Sequence, residues 1–142
     1  MVLSLKQTRA IVDGCLEKAR ELELKPVSVV LLDARAVLVG ALSEDGVSRL
    51  RPSIAQGKAN AAISMGMGTR ALKDRAEQQG YFIQAINGLS GGDFVPVPGG
   101  VLILDADGAL LGAVGISGDN SDNDEAAAVA GITAAGFSAG TG

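Results

Sequence analysis

The chain has 142 residues, one cysteine, no histidine and a formal net charge of −4 at pH 7. That length suits one domain with its own core, and the lack of histidine excludes Ser-His-Asp, Cys-His and histidine–metal chemistry. With aromatics at 3% of residues and an acidic balance, nucleic acid is excluded as a partner, because phosphate binding needs a basic face and stacking needs rings.

Cys15 stands alone, so no intramolecular disulfide is expected, and a reducing compartment suits it. The opening MVLSLKQTR is expected to carry no signal peptide. No apolar run approaches the ~20 residues that span a bilayer, so a cytoplasmic protein with no membrane contact is expected. Hydrophobic residues reach 47% against 20% charged, a thin polar surface that points to coverage by partner subunits.

Ser4 and Gln7 form a capping box. Leu5, Thr8, Val12, Cys15, Leu16, Ala19 and Leu22 then recur at helical spacing, predicting a first helix over 5–23 with Cys15 on its apolar face. Pro26 closes that region. Val27–Asp33 and Val37–Leu42 read as two strands of a hairpin around Asp33-Ala34-Arg35. Ser53 and Gln56 read as a second capping box, opening a helix that runs to about Met67. Thr69–Gln79 reads as a polar surface helix, and Tyr81–Asn87 as one short helical turn.

Residues 88–100 are turn formers, with Pro98-Gly99 suited to a type II turn. Phe94–Val97 is a candidate short strand. Val101–Asp105 and Ala109–Ser117 flank Asp107-Gly108, a hairpin signal. Gly112 and Gly115 predict a close backbone approach or a bulge. Ser121 is the expected N-cap of a last helix to Gly136, with Asp122, Asp124 and Glu125 favoured by the helix dipole. Beyond Glu125 this helix has no charge. A helix apolar all round is buried on all sides, which points to a neighbouring subunit. The tail 138–142 reads as flexible.

The order is α-β-β-α-α-β-β-α. Hairpins dominate, which gives an antiparallel sheet with helices packed on it and a single domain over 1–142. Lys58-Ala59-Asn60-Ala61-Ala62, then Pro98-Gly99-Gly100 before a strand, then Gly112–Gly118, then Asp124-Glu125 opening an Ala-rich helix, resemble the GlcG/HbpS-like family. It is also called the haem-degrading-domain family and includes the C-terminal domain of PduO. The resemblance implies a profilin-like three-layer α/β/α (α+β) fold with a central antiparallel sheet of about five strands. It also implies a homo-oligomer, often an octamer, and ligand binding more than a reaction. The family turn motif D-x-x-G appears here as Asp33-Ala34-Arg35-Ala36. Histidine is a usual axial ligand of haem iron. Only Met65, Met67, Tyr81 and Cys15 stand in for it, so haem is disfavoured and no cofactor is expected.

Lys58 is the most informative residue. Ser53, Gln56, Asn60 and Ser64 make a polar stripe on its helix, and Lys58 lies about 200° from Gln56 and Asn60. It is therefore on the apolar face, either snorkelling or reaching into a pocket. There it would meet Asp124, Glu125 or a ligand carboxylate. Arg49 and Arg51 are able to grip a carboxylate in bidentate fashion or to sit in solvent. Gly99 and Gly100 either present N–H groups to an anion or form a plain turn. Gly112–Gly118 is not G-x-G-x-x-G and has no Walker lysine, which excludes nucleotide phosphate. Asp119, Asp122, Asp124 and Glu125 do not match the twelve-residue calcium loop, so no metal is expected.

Three readings follow. The first is a binding protein for a small anionic or carboxylate metabolite at Arg51, Lys58, Gly99, Gly100 and Glu125. The second is an isomerase or tautomerase with Lys58 and Asp124 or Glu125 as acid and base. The third is a structural role in a larger assembly.

Overall fold

The computed structural model describes residues 2–142. Helix α1 (Leu5–Glu21) starts at the expected capping box: Ser4 Oγ accepts from Gln7 N at 3.1 Å, and Gln7 Oε1 accepts from Ser4 N at 2.9 Å. Its apolar face buries Ile11, Val12, Cys15 and Ala19. Strands β1 (Ser28–Asp33) and β2 (Leu38–Ser43) form the expected hairpin. Its turn keeps its shape without the motif glycine. Asp33 Oδ1 accepts from the backbone of Arg35 at 2.8 Å and Val37 at 3.0 Å, which holds Ala36 at φ 63° in the left-handed region.

Helix α2 (Arg51–Met65) begins two residues before Ser53. Ser53 is therefore not its cap; Leu50 takes that position without a side-chain hydrogen bond, and Pro52 sits in the first turn, where its missing N–H costs nothing. Helix α3 (Thr69–Gln78) is followed by α4 (Gly80–Leu89), a full helix rather than a single turn. Phe94–Val97 forms no strand. Strands β3 (Gly100–Leu104) and β4 (Leu110–Ser117) form the second hairpin around Asp107-Gly108. Helix α5 (Ser121–Ala134) is capped by Asn120, not Ser121: Asn120 Oδ1 accepts from Asn123 N at 2.9 Å. The tail read as flexible instead adds β5 (Ser138–Gly140) beside β3.

The sheet order is β2-β1-β4-β3-β5, every pair antiparallel. Alternate residues of the two central strands feed two cores, as the pleat requires. Val29, Leu31, Val114 and Ile116 face α1 and α5, while Val30, Leu32 and Ala113 face α2. This is the expected three-layer α/β/α arrangement with a five-stranded antiparallel sheet. Gly115 is the close approach that the glycines of β4 foretold, since a Cβ there would overlap the Ala55 carbonyl of α2. Helix α5 is covered within the chain itself. It packs along α1 at Gly131, where a Cβ would run into Cys15 and Ile11. Its exposed positions are Asp122, Ala126, Thr133 and Ala134, so no large apolar side chain is left uncovered on it.

Candidate functional site

Helix α2 lies over the centre of the sheet, and its buried face is almost all Ala and Gly. Lys58 is the exception. Its stem passes Gly99, where a Cβ would come within 2.7 Å of Nζ. Gly99 has φ 123°, so glycine serves both the turn and the passage of the lysine. Nζ donates to the Ile116 carbonyl at 2.8 Å and to Asp124 Oδ2 at 3.1 Å. Asp124 comes from the first turn of α5, and its Oδ1 accepts from Asp119 N at 3.0 Å. Burial lowers the Lys58 pKa, and the Asp124 charge opposes that shift. Burial likewise raises the Asp124 pKa against the pull of Lys58.

The predicted residues divide among four places. Lys58, Gly99 and Asp124 meet, but in a sealed contact. Gly100 is occupied elsewhere: its N–H donates to Thr69 Oγ1 at 2.8 Å, and its carbonyl accepts from the same hydroxyl at 3.2 Å. Of the two carboxylates open to Lys58 in the sequence, Asp124 meets it and Glu125 points elsewhere. Both its oxygens accept from Arg70 Nε at 3.1 Å, and Arg70 Nη2 also holds Asp122 at 2.6 Å. One helical residue is about 100° of turn, so adjacent Asp124 and Glu125 point in different directions. Arg70 was hidden in the sequence because it sits in a helix whose charges all read as solvated. The polar stripe of α2 has a structural use: Gln56 reaches Asp93 Oδ2 at 3.5 Å and Asn60 the Asp93 carbonyl at 2.6 Å.

Arg51 alone of the predicted set faces open space. Its Nη1 donates to Ser117 Oγ at 3.1 Å, and it makes no ion pair among the described residues. It lines a cleft of about 230 Å³ with Lys25, Pro26, Gly46, Val47, Ser48 and Gly118. Two cations and a hydroxyl residue thus border one small opening. Arg49 lies outside that lining.

A family model described as haem degrading protein HbpS-like matches residues 3–133. The chain belongs to the HbpS-like family. Its fold is that of PduOC in the crystal structure of the PduOC:haem complex, with 27% identity, a TM-score of 0.87, and 99% of each chain covered. HbpS of Streptomyces reticuli, solved as a double mutant, is 25% identical over 94% of this chain and 86% of that one, with a TM-score of 0.78. The Klebsiella pneumoniae protein ORFY shares the fold at 18% identity and a TM-score of 0.81, over 94% of this chain and 90% of that one. No curated protein matches the HbpS-like chain. No helix of the described residues is long and apolar enough to cross a membrane.

Within one copy of this HbpS-like chain, the residues that could replace a histidine do not fit a haem iron. Cys15 is sealed in the core, and burial pushes its thiol up to about 12. Tyr81 projects from α4, 75% exposed. Met65 and Met67 pack against the cluster of Ala61, Leu72, Ile83 and Phe94. None of the four joins an axial donor to an open apolar slot.

Proposed function

We propose that this HbpS-like chain is a small-ligand-binding accessory protein that takes a small carboxylate or similar anion at Arg51, within a homo-oligomer. The Arg51 cleft carries the reading. One guanidinium N–H group is fixed on Ser117, which orients the planar fork. The remaining donors are free for a bidentate anion contact. Lys25 adds a second positive charge at the rim. The sealed Lys58–Asp124 contact favours binding over proton transfer, because a general acid or base must come within about 3 Å of its substrate. Lys58 and Asp124 then serve to hold α2 on α5. Glu125, paired with Arg70, and Gly100, bonded to Thr69, leave the proposed ligand set.

The test is isothermal titration of small mono- and dicarboxylates, with haemin as a separate probe, into the wild-type chain and Arg51→Met. Carboxylate binding that is lost in Arg51→Met supports the reading. Haemin uptake with a Soret band and no carboxylate binding overturns it.

A further inference from the structure

Strand β2 is an edge strand, and it is built like a central one. It contains no charged residue and no proline, and five of its six residues are exposed. Edge strands of monomers are ordinarily blunted by charge, proline or a covering segment. Here Leu42 projects beside α1 and Leu38 beside α2, at 53% and 52% exposure. Apolar surface therefore flanks the edge on both faces of the sheet. The backbone of the edge is open too. Glu44 N donates to the Val27 carbonyl, and antiparallel pairing alternates. Gly40 and Leu42 accordingly bond to β1, and Ala41 and Ser43 turn their N–H and C=O groups outward.

We infer that β2 pairs antiparallel with β2 of a second copy across a two-fold axis, making one continuous sheet. The charges around the edge select that occupant. Arg35, in the β1–β2 turn three residues before the strand, is 80% exposed in its side chain, and its one ion pair among the described residues is to Asp33 within the same turn at 3.2 Å. Asp45, just past the other end, is exposed and makes no ion pair among the described residues. An antiparallel two-fold brings Arg35 of each copy to Asp45 of the other, twice per dimer. A parallel arrangement would stack like on like. On the α1 side, exposed Arg9 and Asp13 border the same groove as Val39–Leu42 and lack ion-pair partners among the described residues. They form a second self-complementary pair. An unrelated extended peptide would match the backbone edge but has no reason to match both charge pairs.

The proposal rests on the homo-oligomer part of the reading above and is tested apart from it. Native mass spectrometry and light scattering are run on the wild type and on Ala41→Pro, which removes only an outward N–H. Circular dichroism and melting curves check that each variant folds. Arg35→Asp and Asp45→Arg are each expected to weaken association about tenfold, and the double exchange Arg35→Asp/Asp45→Arg to restore it. An even-numbered wild-type oligomer that halves in folded Ala41→Pro, with that rescue, supports β2 pairing. An oligomer indifferent to all these changes overturns β2 pairing and leaves the homo-oligomer standing. A monomeric wild type overturns both.

Discussion

Lys58 Nζ lies 3.1 Å from Asp124 Oδ2, with the two side chains only 2% and 1% exposed. This buried pair joins the helix on one face of the sheet to the first turn of the helix on the other. Each charge has further partners, in the Ile116 carbonyl and the Asp119 N–H. Removing one member leaves the other buried without its counter-charge. Lys58→Met should cost about 3 kcal/mol of stability, and Asp124→Asn a similar amount. In urea titrations both should lower the midpoint with little change in slope. The double variant should cost at least about 1 kcal/mol less than the sum of the two. Strict additivity would show that the pair is not a unit.

The β1–β2 turn offers a gain in stability. Ala36 sits at φ 63°, where a side chain costs about 1 kcal/mol. Ala36→Gly relieves that cost but adds freedom to the unfolded chain. The net expectation is a gain of about 0.5 kcal/mol, read as a small rise in Tm. A fall in Tm would mean that the Asp33 hydrogen bonds already make the turn comfortable for alanine.

Much of this was legible in the sequence where the signal is local. The Ser4–Gln7 box, the two hairpins and the apolar stripe of α1 all depend on neighbours within a few residues. The Lys58–Asp124 meeting was reached as one of several options, because a lysine on an alanine-rich face needs a partner. Glu125 stayed equally eligible in the sequence, since only the tertiary reach of Arg70 to the first turn of α5 reveals that Arg70 claims it. The β5 tail was illegible for the same kind of reason. Ser138-Ala139-Gly140 has little strand propensity, and its pairing comes from the free edge of β3. The N-caps of α2 and α5 moved by three residues and one because Ser48, Pro52 and Ser53 crowd the first start and Asn120, Ser121 and Asn123 the second.

Asp119 gives the acid limb of stability. Its carboxylate accepts from Asn123 Nδ2 and from the backbone of Lys25 and Asn120, which lowers its pKa from 3.8 to about 2. A depressed carboxylate stabilises the fold above its unfolded pKa and loses that contribution as pH falls through the folded value. The window is therefore about pH 4 to 2. Partial solvent exposure reduces the size, and about 1 kcal/mol is expected. Asp119→Asn should be less stable at pH 7 and show a shallower loss across that window, in urea unfolding at stepped pH. Parallel acid limbs in the two proteins would place the linkage on other carboxylates.

Cys15 reports on the opposite face of the sheet. Its thiol is fully buried between α1 and α5, near the Ala128 carbonyl, and burial pushes its pKa up to about 12. The reacting form of a thiol is the thiolate, so the folded chain should resist a disulfide reagent at pH 8 while the urea-unfolded chain reacts at once. Labelling then requires α1 and α5 to separate. Gly131 sets how closely they sit, since a Cβ there meets Cys15 and Ile11. Gly131→Ala should lower stability by about 2 kcal/mol through overpacking and speed labelling by more than tenfold if exchange follows the open population. Fast labelling of the wild type would mean that the two helices part locally without global unfolding. Equal rates in both proteins would show that the Gly131 contact does not hold them together.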